Sequence, residues 1–105
     1  MIFKKESSLR PWTFVTNHAV VLSFIARHPL ITGHELALEV GISERAIRRI
    51  IAELCEAGYI AKGKEGRRVR YQVKQHTHLR HKALRDKAVG DLLKVLNPKR
   101  QEEKK

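Results

Sequence analysis

The sequence predicts a mainly α-helical domain with one small β-hairpin, an α+β fold, completed by an additional C-terminal helix. Three observations lead to it. Short amphipathic segments follow one another with capping residues between them. Two strand-like runs flank Glu65-Gly66. A last apolar-striped segment closes at Asn97-Pro98. At 105 residues the chain fits one such domain and leaves little room for a second.

Residues 1–12 mix charges with Pro11 and show no period, so an N-terminal arm is expected, with Trp12 and Phe14 tying it down. Thr16 is the N-cap of a first helix running to about Arg27. Its apolar residues Ala19, Val20, Leu22, Phe24, Ile25 and Ala26 nearly surround the helix, which predicts deep burial. Pro29 stops it. Leu30 and Ile31 read as a short β-prone step.

Thr32 and Glu35 form a capping box for a second helix. Leu36, Ala37 and Val40 point inward, and Gly41 ends the helix. Ser43 caps a third. There Ile47, Ile50, Ile51 and Leu54 recur at the spacing of one buried stripe, and Gly58 ends the run. Tyr59–Lys64 and Arg67–Val73 read as strands, with Val69, Tyr71 and Val73 alternating with Arg68, Arg70 and Gln72. The last helix is expected from about Leu79 to Leu96 within a C-terminal unit spanning residues 76–98. Residues 99–105 form a charged tail.

Charge narrows the partner. Lys and Arg number 22 against 11 Asp and Glu, a net charge of +11. From Arg45 to Arg85 there are 12 basic residues and three acids, so the excess is concentrated in the middle of the chain. Such concentration predicts a polyanion, with nucleic acid ahead of an anionic membrane. The longest apolar run, Ala19–Ala26, is far too short to cross a bilayer, and it reads as a core helix rather than a signal segment. No membrane partner is expected. Cys55 is the single cysteine, which excludes an intramolecular disulfide and a Cys-based zinc site and fits a reducing cytoplasm.

The third helix divides its faces. At 100° per residue Arg45, Arg49 and Ala52 lie opposite the Ile/Leu stripe, with Arg48 at the flank. An α-helix fits the DNA major groove, and the arginine fork pairs bidentately with guanine. The alternative is an ordinary solvated face, made less attractive by its position directly after a turn between two short helices. Ser43 and Glu44 open the helix. Ser43 is first a cap, and Glu44 is either an acceptor for cytosine or simply a favourable first-turn acid. The hairpin Lys62, Lys64, Arg67, Arg68 and Arg70 holds five cations against Glu65 alone. Arg67 at the tip suits a minor groove, and the others suit phosphates. Charge that protects an edge hairpin from aggregation is the competing explanation.

Residues Glu35-Leu36-Ala37-Leu38-Glu39-Val40-Gly41-Ile42-Ser43 resemble the core of a helix-turn-helix. The continuation from Arg45 to Tyr59, ending Glu56-Ala57-Gly58-Tyr59-Ile60, resembles the recognition helix and following strand of winged helix-turn-helix regulators of the MarR and ArsR type. The resemblance covers roughly residues 13–75. It implies a transcription regulator that binds double-stranded DNA, with residues 43–57 in the major groove and a wing at residues 60–73. It also implies a homodimer formed through terminal helices, for which Leu92, Leu93 and Leu96 are the expected interface; the alternative is that they pack onto Phe14, Trp12 or the first helix within one subunit. MarR-type chains carry longer helical extensions around a ligand pocket, and this chain is too short for an obvious one, so no effector is indicated.

His76, His78 and His81 cluster near the start of the last helix. Three imidazoles can hold zinc. No carboxylate stands at matched spacing and Arg80 and Lys82 repel a cation, so neither metal nor cofactor is expected. No Ser-His-Asp or paired-carboxylate pattern is present, and no enzyme is expected. Two alternatives to a specific regulator stay open. One is a sequence-tolerant architectural or accessory binder of DNA or RNA. The other is a winged helix used for protein contacts, which the basic hairpin disfavours.

Overall fold

The computed structural model describes residues 13–97. The expected arm, with Trp12, and the charged tail lie outside these residues. The described elements are α1 (Asn17–Arg27), α2 (Gly33–Val40), α3 (Glu44–Glu56), β1 (Ile60–Glu65), β2 (Arg68–Val73), a 3₁₀ turn (Lys82–Leu84) and α4 (Val89–Leu96). Three helices, an antiparallel hairpin and a C-terminal helix make a winged helix-turn-helix of the expected α+β class.

Local chemistry starts the first three helices. The Thr16 hydroxyl accepts from the Ala19 N–H at 3.3 Å. Thr32 and Glu35 close a reciprocal capping box, the Glu35 N–H donating to Thr32 Oγ1 at 3.1 Å and the Thr32 N–H to Glu35 Oε1 at 2.9 Å. Ser43 Oγ accepts from the Ala46 N–H at 3.1 Å. Gly41 ends α2 in the left-handed conformation, at φ +84°.

These starts orient one core. Val21, Leu22 and Ile25 of α1 pack with Leu36 of α2 and with Ile47, Ile50, Ile51 and Leu54 of α3. Tyr59, Ile60 and Tyr71 close it from the hairpin side, and Val89 and Leu93 from α4. Ile25, Leu36 and Ile47 are wholly enclosed. Ala19, Val20, Phe24 and Ala26 are only half-buried, so α1 has more solvent contact than its composition suggests. Phe14 is exposed and does not pack into the core.

The hairpin pairs Ile60 with Val73 at its root and Glu65 with Arg68 at its tip. Each strand begins one residue later than expected. The loop Gly66-Arg67 has φ +63° at glycine, and among the described residues only glycines have positive φ. This is the pattern of a type II′ turn, whose first central position needs glycine. The outer half of the hairpin stands clear of the core: Tyr71 is buried and Val69 exposed, although both lie on one face. Leu30 and Ile31 form no strand. A single bond from the Tyr71 N–H to the Pro29 carbonyl, 2.9 Å, ties that step to β2.

The C-terminal helix departs most from expectation. It spans Val89–Leu96 rather than beginning near Leu79. Residues 74–88 instead spend their backbone groups on distant partners. The Val89 N–H donates to the Thr77 carbonyl, the Gly90 N–H to Gln75 and the Leu79 N–H to Lys87, each within 2.8–2.9 Å. A β-bridge joins His78 and Ala88. Between Arg80 and Lys87 the only apolar side chains are Ala83 and Leu84, too few for a stripe that would favour helix. Gly90 makes the close approach possible, because a Cβ there would stand 2.9 Å from the Gln75 carbonyl oxygen.

Replacing Ile47 by Ala should cost about 2–5 kcal/mol in urea unfolding, as expected for an enclosed side chain at the meeting point of three helices. Acid unfolding reports the capping box. Hydrogen bonds from Thr32, its backbone N–H first, hold the Glu35 carboxyl below its ordinary value of 4.5. A lowered pKa gives stability that is present above that ordinary value and is lost as pH falls through the lower, folded one. Glu35→Gln should therefore flatten the loss of stability below about pH 4.5 and leave its pH dependence near neutrality unchanged.

Candidate nucleic-acid interface

The interface is built on α3. One side of this helix is core, with Ile47, Ile50, Ile51 and Leu54 each no more than 6% exposed. The opposite side carries Arg45, Arg48 and Arg49, all exposed. The tight turn Gly41-Ile42 and the Ser43 cap fix where that side begins. Free amides and the positive end of the helix dipole add to the positive field there.

The outer face of α3 is electrically divided. Its N-terminal half carries the three arginines, and its C-terminal half carries Glu53 and Glu56. His18 Nε2 lies 2.7 Å from Glu53 Oε1. That hydrogen bond, assisted by the charges of Arg49 and Arg80, holds the Glu53 carboxyl below its ordinary value. Glu53 therefore stays ionised and repels phosphate from the C-terminal turns. The unopposed positive charge of this face therefore lies at Arg45 and Arg49, with Arg48 beside Glu44.

Glu44 has a role that the sequence did not reveal. Its Oε2 lies 2.8 Å from His34 Nδ1, and its Oε1 lies 3.9 Å from Arg48 Nη1. The carboxylate thus links α2 to α3 across the turn. It faces His34 and Arg48, as suits an acid in the first turn of a helix. His34 is the residue that sequence reasoning missed. No local pattern signals it, because the pair joins side chains ten residues apart on two different helices. Ser43 is a cap, as expected.

The hairpin places its cations on both faces. Lys62 sits opposite Tyr71 and Lys64 opposite Val69, on one face. Arg68 sits opposite Glu65 and Arg70 opposite Gly63, on the other. Arg67 occupies the turn. Arg70 Nη1 is bonded to Glu65 Oε1 at 3.0 Å. Lys62, Lys64, Arg67 and Arg68 make no ion pair among the described residues and are exposed. Arg68 also lies near Glu35 of α2, whose carboxyl it helps to hold low.

The other candidates fall elsewhere. Leu93 is buried inside the subunit at 5% exposure and packs into the core rather than onto the outer face of α4. The reason is the shortened α4, whose Val89 and Leu93 share the face turned to the core. Leu96 is half-buried, Leu92 is 37% exposed and Val95 74% exposed. His76, His78 and His81 do not converge. His78 Nδ1 donates to the Arg85 carbonyl, and His81 Nδ1 accepts from the Ala83 N–H at 3.1 Å. Among the described residues no group of three His, Cys, Asp or Glu side chains is placed to hold a metal ion. No helix among them is long and apolar enough to cross a membrane.

No curated protein and no solved structure matches the chain. Residues 20–61, from the middle of α1 into β1, match the winged helix-turn-helix DNA-binding family. The matched segment contains α2, the turn and all of α3, so the likeness falls on the arginine-bearing face described above.

Proposed function

We propose that this protein is a sequence-specific binder of double-stranded DNA that regulates transcription in the cytoplasm. The observation that carries the reading is the division of α3 into a buried Ile/Leu stripe and an exposed N-terminal half bearing Arg45, Arg48 and Arg49. Recognition helices of this fold read base edges with their N-terminal residues. Arg45 and Arg49, free of ion pairs among the described residues, suit guanine O6 and N7. Arg48 lies beside Glu44 and suits a flanking phosphate.

The wing complements this placement. A hairpin with cations on both faces fits a minor groove entered tip first, because phosphates then stand on either side. Arg67 enters the groove. Lys62 and Lys64 face one strand, and Arg68 and Arg70 face the other.

We further read the chain as a homodimer. Leu92 and Val95 leave α4 with an apolar outer surface, continuous with a groove lined by Ala19, Leu79 and Leu96. The MarR- and ArsR-type regulators that the sequence resembles dimerise through terminal helices. A two-fold dimer would read half-sites about 10 bp apart, or a multiple of that. The second reading, a sequence-tolerant nucleic-acid binder, draws on the many phosphate-type cations of the hairpin.

Selection from random duplex DNA followed by competition binding separates the two. A specific regulator binds its selected site at least about a thousandfold more tightly than random duplex, and a ratio near one contradicts it. Arg49→Ala should cost about 1–3 kcal/mol on the selected site and relax one base position, whereas Arg68→Ala should weaken all duplexes and reduce the salt slope by about one. Glu65→Gln frees Arg70, so it should strengthen binding to every duplex and steepen the salt slope by up to about one. Light scattering of the free protein should give twice the chain mass at tens of micromolar, reverting to one chain mass in Val95→Asp.

A further inference from the structure

Residues 74–88 follow the wing and lie beyond the segment that matches the family. They contain Lys74, Arg80, Lys82, Arg85 and Lys87, against Asp86 as the one acid. A long irregular segment inside a compact domain calls for a reason. Hydrophobic burial does not supply it, since Leu79 is half-buried and Leu84 exposed.

The segment is nonetheless held firmly. Thr77 Oγ1 donates to the Gly58 carbonyl at 2.8 Å, and the Tyr59 hydroxyl to the His78 carbonyl at 3.2 Å. The Lys74 N–H donates to the Tyr59 carbonyl at 2.7 Å. His78 and His81 hold its inner turns, and the bridge to Ala88 closes it. Its cations are therefore presented from a fixed backbone.

Their pairing differs. Lys87 lies 3.4 Å from Asp86. Arg80 lines a depression with Glu53 and Glu56 at the end of α3. Lys74, Lys82 and Arg85 make no ion pair among the described residues and are exposed. Arg80 shares that depression with Glu53 and Glu56, so the loop adjoins the C-terminal end of α3. It sits at the root of the hairpin, and six-residue strands put it about 20 Å from the tip. Two basic surfaces thus flank the acidic end of α3, one at its N-terminal half and wing, the other at this loop.

We propose that the loop at residues 74–88 is a second phosphate-contacting surface, which holds the backbone of the same DNA duplex beyond the segment read by α3 and the wing. Lys74, Lys82 and Arg85 are the contacts. The inference rests on the DNA-binding reading above. Arg80, beside Glu53 and Glu56, offsets part of their repulsion where the backbone passes. The loop adds affinity without sequence preference, because it meets phosphates only.

The test compares two duplexes, the selected site alone and the same site with about six random base pairs added on each side. Wild type should bind the longer duplex about tenfold more tightly at low salt, with a salt slope steeper by about two to three. The Lys74→Gln/Lys82→Gln/Arg85→Gln variant should lose that gain while binding the short duplex as wild type does. A variant that keeps the full gain overturns the proposal, as does a wild type that gains nothing from the added length. Equal weakening on both duplexes also overturns it, since the residues would then act on the core site or the fold. Arg49→Ala serves as the independent arm. It should lose affinity on both duplexes, and if it loses none the reading of α3 fails, whatever the loop does.

Discussion

Burial of Ile47, Ile50, Ile51 and Leu54 is the constraint on which the rest of the molecule depends. These four side chains meet α1, α2 and the hairpin at once, and none is more than 6% exposed. Helical geometry then leaves Arg45, Arg48 and Arg49 no place except solvent. The rotation of α3 that satisfies the core is the rotation that presents the arginines. A slip of one residue would bury a guanidinium and expose an isoleucine, so stability and interface are set by the same packing.

Charge is distributed with a similar economy. The net charge of +11 does not describe a uniformly basic surface. Glu53 and Glu56 form an acidic end on α3, Glu44 links α2 to α3, and Glu65 restrains one wing arginine. Each acid shapes where a polyanion is attracted. Exposed ion pairs of this type add little stability, commonly under about 1 kcal/mol. Their consequence lies in which cations remain available: Arg45 and Arg49 on the helix, Lys62, Lys64, Arg67 and Arg68 on the wing.

The legible parts of the fold were those written locally. Thr16, Thr32 and Ser43 act within three residues of themselves, and the Ile/Leu stripe of α3 repeats within two turns, so helix starts and faces could be read directly. Gly66 announced its turn for the same reason. The C-terminal region was not local. Its backbone bonds join Gln75 to Gly90 and Thr77 to Val89, and no short window contains both partners. A helix expected from Leu79 therefore became a tied loop. That change moved Leu93 from an expected interface into the core. The exposed placement of the α3 arginines was legible because periodicity sets it. The His34–Glu44 and His18–Glu53 pairs were not, because they connect different helices.

We take α3 and the wing together to be the DNA face. An NMR titration of the protein with a short duplex measures it most directly, following backbone amides and the arginine Nε–H groups. The largest changes are expected at residues 43–49 and 62–70, including the side chains of Arg45, Arg49 and Arg67, with the outer face of α4 unaffected. Dominant changes on α4 or on the exposed side of α1, or no response at low salt, would contradict it.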